Sequence, residues 1–173
     1  MREALASLRP TSTGQPTVPR EGRPKGLNAL GTLARHPSLA RAFLTFNGHI
    51  LSGSTLSPRH RELLVLRVAA LRHCDYEWVQ HAILAGDAGI VADEVERVAE
   101  GPDAPGWSDL DRNLLVAVDQ LLADARIADD TWAALAGDFD EEQLMDVVFT
   151  VGAYDVLAMA FRSFGVELDD DLR

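Results

Sequence analysis

An all-α fold is predicted by three observations. From Leu27 onward the apolar residues recur at helical spacing. No stretch alternates strictly between apolar and polar over strand length, and no Asn-Gly pair signals a hairpin. The helical stretches are also separated by capping and breaking residues. With 173 residues and 47% hydrophobic content, the chain can fill one core and is short for two ordinary domains. Residues 27–173 are therefore expected to form a single helical domain.

Residues 1–26 carry Pro10, Pro16, Pro19 and Pro24 with Gly14, Gly22 and Gly26. That composition buries too little apolar surface to offset the entropy of ordering, so a flexible N-terminal arm is expected. A first helix runs through Ala29 to Arg35 and stops before Pro37. A second spans about Ser38 to Leu51 and ends in the Ser52-Gly53-Ser54 turn. Ser57 followed by Pro58 reads as an N-cap with proline at the first helical position, opening a helix through Arg72 with Leu63, Leu66 and Ala70 on its core stripe. The Cys74 segment follows and closes near Gly86 or Gly89 as a left-handed C-cap. Ala92 to Ala99 is a short helix stopped by Gly101, Pro102 and Pro105.

Ser108 caps a helix through Leu122, and Asp130 is expected to cap a short one through Ala136. Asp140 with Gln143 forms a capping-box pattern that opens a last helix reaching about Phe164. That helix is apolar nearly all round, which fits either a central core helix or one that turns part of its surface to another subunit. The acidic tail Glu167 to Asp171 is expected to be solvated.

Charge and composition exclude several functions. A formal net charge of −11, from 16 basic against 27 acidic residues, repels phosphate backbones, and no segment concentrates enough Arg or Lys to reverse it locally. No nucleic-acid partner is expected. Cys74 is the only cysteine, so no disulfide can form within the chain, and a reducing, cytoplasmic setting is expected. The N-terminus shows no apolar h-region, and the longest apolar stretch, Leu144 to Phe161, is interrupted by Asp146 and Asp155, so no membrane association is expected. Lys25, the only lysine, lies in the expected arm and offers no Schiff-base nucleophile.

The most informative segment runs from Cys74 to His81. At 3.6 residues per turn, Cys74, Glu77 and His81 share one face. Glu77 and His81, four residues apart, can hydrogen-bond; the contact would raise the histidine pKa and burial would lower it, which suits general acid–base work. The bland alternative is an exposed helix ion pair worth about 0.3–0.5 kcal/mol. Tyr76 and Trp78 make the segment apolar enough to favour an enclosed pair, and both are candidates to line a substrate pocket. Cys74 at a helix N-terminus would be drawn toward thiolate by the dipole, whereas a free cysteine is more commonly a small buried apolar residue. His73, Glu77 and His81 do not make a metal site, because positions eight apart lie about 12 Å apart along the axis. No metal or other cofactor is expected. In the preceding helix, Glu62 is either a surface ion-pair residue among Arg59, His60, Arg61 and Arg67 or a carboxylate aimed at His81; Arg61 or Arg67 could bind a substrate carboxylate.

The segment LSPRHRELLVLRVAALRHCDYEWVQHAILAGDAGI, Leu56 to Ile90, together with DEEQLMDVVFTVGAYDVLAMAFRSFGVELD at the end of the chain, resembles the carboxymuconolactone decarboxylase family within the alkyl hydroperoxidase D-like superfamily. In the peroxidase branch of that superfamily a glutamate precedes a Cys-x-x-Cys by twelve residues and a histidine follows it by four. Glu62, Cys74 and His81 match those positions, and Glu77 stands where the second, peroxide-attacking cysteine would be. The Glu77–His81 spacing instead matches the decarboxylase branch. A Gly-x-Pro-Ala stretch usual there is replaced by Val151-Gly152-Ala153-Tyr154. The resemblance implies an alkyl hydroperoxidase D-like helical domain with a two-helix hairpin carrying the site, assembly as a trimer or hexamer, and acid–base rather than disulfide chemistry. The expected function is a cofactor-independent lyase or isomerase acting on a small lactone, carbonyl or carboxylate. His81 would move the proton, Glu77 and Glu62 would tune it, and Cys74 would line the pocket. A single-cysteine thiol peroxidase or reductase, and a non-catalytic ligand-binding oligomer, are the alternatives.

Overall fold

A computed structural model of the chain describes residues 23–173, in which every regular element is helical. In chain order these are α1 (Leu27–Leu33), α2 (Pro37–Ser52), α3 (Pro58–Leu71), α4 (Asp75–Asp87), α5 (Ala92–Glu100), α6 (Asp109–Asp124), α7 (Asp129–Ala136) and α8 (Glu141–Phe164), followed by a 3-10 turn (Asp170–Leu172). Most of the expected stops hold. The Ser57 side chain accepts the His60 amide with Pro58 at the first helical position. Ser108 caps α6 through the Asp111 amide, and Asp140 with Gln143 forms the capping box of α8. Asp130, however, lies inside the first turn of α7, whose cap position is Ala128 and has no side-chain bond. There Asp129 and Asp130 serve the positive end of the dipole instead.

The centre of the molecule is α3, which packs against α4, α5, α6 and α8. Eight consecutive residues, Glu62 to Ala69, are buried, so this helix has no solvent face over two turns. Leu64, Val65 and Val68 join one apolar cluster with Leu114, Val118, Val147 and Val151, while Leu63 and Leu66 join another with Val95, Val98, Trp107 and Leu115. Each such side chain contributes about 1.5–3 kcal/mol through burial. Ala70, expected on the stripe, is only half-buried, and Ala69 takes the core position instead.

The buried Arg67 on α3 is fully partnered. Its Nε and one terminal nitrogen donate to Asp119 of α6 at 2.7 and 2.8 Å, and the other donates to the Val98 and Ala99 carbonyls at the end of α5 at 3.0 and 3.1 Å. Gly101 follows that helix end at φ 113, and a Cβ there would stand 2.9 Å from the guanidinium. Arg67 is thus a structural clamp and not the substrate-binding arginine that the sequence allows.

Helix α8 is central on one side only. Leu144, Val147, Val151, Tyr154, Ala158 and Phe161 are buried, while Met145, Phe149, Val156 and Met159 are each about half exposed. The exposed set, with Gly152 between, steps by four and three residues, the spacing of a helix–helix seam.

The chain ends differ from expectation in two places. Residues 1–22 of the expected arm lie outside the described residues. Residues 23–26 are tied down: Arg23 pairs with Asp87, Lys25 pairs with Asp171 at 3.3 Å, and Gly26 takes the cap position of α1 at φ 64. In the acidic tail, Asp169 is buried and accepts the backbone amides of Leu27 and Asn28 at 3.0 and 2.8 Å, capping α1 from the far end of the sequence. The Tyr76 hydroxyl donates to the same carboxylate and accepts the Ala29 amide at 3.2 Å.

Candidate active site

The site is carried by the hairpin of α3 and α4. His73 adopts a left-handed conformation at φ 50, and the Cys74 amide returns to the Ala69 carbonyl at 2.9 Å, which reverses the chain within three residues. Asp75 in the first turn of α4 favours its start, and the left-handed Gly89, φ 79, lies just beyond its end. This reversal sets Glu62 beside His81.

His81 Nδ1 and Glu62 Oε2 are 2.6 Å apart, with both residues buried. The other carboxylate oxygen of Glu62 faces Arg61 Nε at 3.5 Å. Burial opposes ionisation of Glu62, but the His81 ring and the Arg61 guanidinium outweigh it and hold the carboxyl below its ordinary range. A carboxylate acceptor fixes the proton on Nδ1 and leaves Nε2 as the nitrogen available for chemistry. The Tyr154 ring stands edge-on to the imidazole at 5.0 Å and 88°, fixing its plane from α8.

The sequence offers His81 two carboxylates, Glu77 and Glu62; the structure pairs it with Glu62. Glu77 is buried, and among the described residues neither of its carboxyl oxygens has a hydrogen-bond partner. Burial pushes its pKa up to about 8, the Cys74 thiol eases this without meeting hydrogen-bond geometry, and the charge of Asp155 adds to it. Glu77 is therefore mostly a neutral acid at pH near 7, able to donate a hydrogen bond.

His81 and Glu77 both line a chamber of about 220 Å³ between α1, α2, α4 and α8. Its walls are largely apolar, from Leu30, Phe43, Leu44, Leu84, Leu157 and Phe161. Its polar lining includes Tyr76, Tyr154, Asn47 and Gln80; among the described residues Asn47 Oδ1 and Gln80 Nε2 are buried without a hydrogen bond, the Gln80 amide standing near the Tyr76 hydroxyl without meeting hydrogen-bond geometry. Four of the residues singled out in the sequence therefore meet around this space: Glu77, His81 and Tyr76 line it, and Glu62 supports His81 from behind.

Three others stand elsewhere. Cys74, at the cap position of α4, does not line the chamber; it borders shallow surface depressions with His73 and Asp75. Burial, aided by the nearby Glu77, pushes its thiol up to about 12, so desolvation overrides the helix dipole and Cys74 fits the buried apolar thiol of the two readings the sequence allows. Trp78 turns to the opposite side of α4 and packs on the cluster of Leu63 and Leu66. Arg61 is held by Glu62 and the Leu51 carbonyl, outside the chamber lining. Conversely, sequence reasoning missed Asn47, Gln80 and Tyr154. A lone amide between Leu44 and Ile50 on an otherwise apolar helix face was the available signal for Asn47.

Among the described residues, no group of three or more His, Cys, Asp or Glu side chains is arranged to hold a metal ion.

The hairpin lies in a segment that matches a known family: residues 37–120, which include Glu62, Glu77 and His81, match the model of the carboxymuconolactone decarboxylase family. The fold is that of alkyl hydroperoxidase D-like proteins. A protein of unknown function from Agrobacterium tumefaciens, described as of the antioxidant defence type AhpD, superposes with a TM-score of 0.73 at 19% identity, covering 79% of this chain and 94% of that one. An uncharacterised peroxidase-related protein from Ralstonia eutropha with an AhpD core gives 0.74 at 20% identity over 84% and 78%. The debrominase Bmp8 gives 0.72 at 14% identity over 86% and 83%. At these identities the likeness shows the fold alone. A comparison with curated proteins finds no match.

Proposed function

We propose that the protein is a cofactor-independent acid–base enzyme, a lyase or isomerase acting on a small lactone, carbonyl or carboxylate compound. The reading is carried by one observation: a buried Glu62–His81 pair at 2.6 Å placed beside a mostly apolar chamber. In this scheme His81 Nε2 takes a proton from a carbon next to a carbonyl. The electron pair moves onto the carbonyl oxygen as an enolate, and Glu62 stabilises the imidazolium that results. The proton then returns at another carbon. In a decarboxylation the enolate forms by loss of CO2, and a protonated His81 supplies the proton. Glu77, kept neutral by burial, can donate a hydrogen bond to the enolate oxygen, where a charged carboxylate would repel it.

A single-thiol peroxidase or reductase reading finds support in the names of two fold neighbours, but it needs a thiolate in contact with substrate. Cys74 is buried, borders a different side of α4, and has its pKa pushed up to about 12. The acid–base reading predicts that His81→Gln lowers turnover on a panel of small lactones and enones by about 10²–10⁴-fold, with an unchanged helical circular dichroism spectrum. Full activity in that variant would refute it, and a wild-type protein that binds panel compounds without turning any over would favour the non-catalytic oligomer.

We also propose that the exposed seam of Met145, Phe149, Val156 and Met159 on α8 packs against another copy of the chain. Phe149→Lys should then shift the mass measured by light scattering toward the monomer; an unchanged mass would count against this face.

A further inference from the structure

We infer that the chamber selects a neutral, ring-sized molecule bearing a carbonyl or hydroxyl group, with Asn47 and Gln80 as its specificity-determining contacts. The inference rests on the acid–base reading and narrows its substrate: the carboxylate option falls away.

Size comes first. An apolar cavity of about 150 Å³ accommodates a benzene ring. The chamber, at about 220 Å³, has room for such a ring and one small polar substituent. Polarity comes next. Buried amide and carboxyl groups left without partners cost about 1–3 kcal/mol each, and folded proteins rarely leave them so. Here three of them, on Asn47, Glu77 and Gln80, line one small space. They offer an acceptor at Asn47 Oδ1, a donor at Gln80 Nε2, and both kinds at a protonated Glu77. A ligand carbonyl can accept from Gln80 Nε2 and the protonated Glu77, and a ligand hydroxyl or amide N–H can donate to Asn47 Oδ1; a plain hydrocarbon completes none.

Charge decides between a neutral ligand and an anion. Among the described residues no arginine lines the chamber, since Arg61 is held by Glu62 and Leu51, and Arg67 is consumed by Asp119 and two carbonyls. Lys25 stands at the edge, largely exposed and paired with Asp171. His81, in the neutral form that takes a proton at Nε2, brings no charge of its own, and the single charge of Glu62 is met by Arg61. An entering carboxylate would lose its hydration and gain no unspent positive charge, a cost that a neutral amide, ketone or lactone avoids.

The test uses benzamide and benzoate, which share shape and differ in charge, titrated into the full-length protein at neutral pH and followed by protein NMR. Benzamide should shift the resonances of chamber residues and bind at least about tenfold more tightly than benzoate. Asn47→Leu, which keeps the side-chain volume, should weaken benzamide by about five- to tenfold. Benzoate binding as tightly as benzamide, or neither probe reaching the chamber, would overturn the inference on the wild-type protein alone. Benzamide affinity unchanged in a folded Asn47→Leu would remove Asn47 from it. The two readings fail separately: turnover that depends on His81 together with benzoate preference sinks only this inference, and benzamide binding without any dependence of turnover on His81 sinks only the acid–base one.

Discussion

Helix α3 carries two buried charged residues five positions apart, and their surroundings are opposites. Around Arg67 every donor that the clamp uses meets an acceptor from α5 or α6, and nothing is left over for a ligand. Around Glu62 the pairing stops one residue out: His81 is held on one side only, and the neighbouring Glu77, Gln80 and Asn47 have buried atoms with no hydrogen-bond partner among the described residues. The same helix thus supports one region whose polar groups folding completes and one whose polar groups folding leaves open. Saturated buried charge marks architecture, and unsaturated buried polarity beside a cavity marks a site.

The largest effect that can break this contrast concerns Glu77. Its rise from 4.5 to about 8 means that the folded chain keeps a proton that the unfolded chain releases. Stability should therefore be highest below pH 4.5 as far as this group is concerned, fall as pH rises toward 8, and level off above, a loss on the order of 5 kcal/mol. Glu77→Gln mimics the protonated form and should remove that decline, so urea denaturation from acid to alkaline pH should show the variant gaining on wild type as pH rises. Parallel curves would mean that Glu77 is not held in a desolvated place. On the architectural side, Arg67→Ala leaves Asp119 and two helix-end carbonyls unpaired and should cost about 3–5 kcal/mol at neutral pH, read by the same denaturation. If Arg67→Ala proved harmless while Glu77→Gln proved damaging, the assignment of the two regions would be reversed.

The same contrast explains what was legible in the sequence. Helix positions and stops follow from local chemistry, so Ser57-Pro58, Ser108 and the Asp140–Gln143 box could be read directly. The spacing within α4 likewise singled out Glu77 and His81. Long-range partners leave no local trace. Glu62 and Glu77 are both suitable acceptors for His81, and only the three-residue reversal at His73 decides that Glu62 takes the ring. For Cys74 the sequence left thiolate and buried thiol both open, because the helix dipole is a sequence-local effect while desolvation depends on the packing of the whole chain. Asp169 looked like part of a solvated tail because its partners, the first turn of α1 and Tyr76, lie far away in sequence. The over-apolar α8 announced that it had more than one apolar face, yet the helix buried on all sides turned out to be α3, whose arginines and glutamate disguised it.

The account stands on proton transfer by His81 rather than sulfur chemistry, and hydrogen–deuterium exchange at a ring ketone separates the two. Cyclohexanone incubated with the protein in heavy water and followed by proton NMR should lose its α-proton signal faster than in buffer. That acceleration should persist in Cys74→Ser and vanish in His81→Gln. Exchange that survives the loss of His81, or that disappears with the cysteine, would contradict the account.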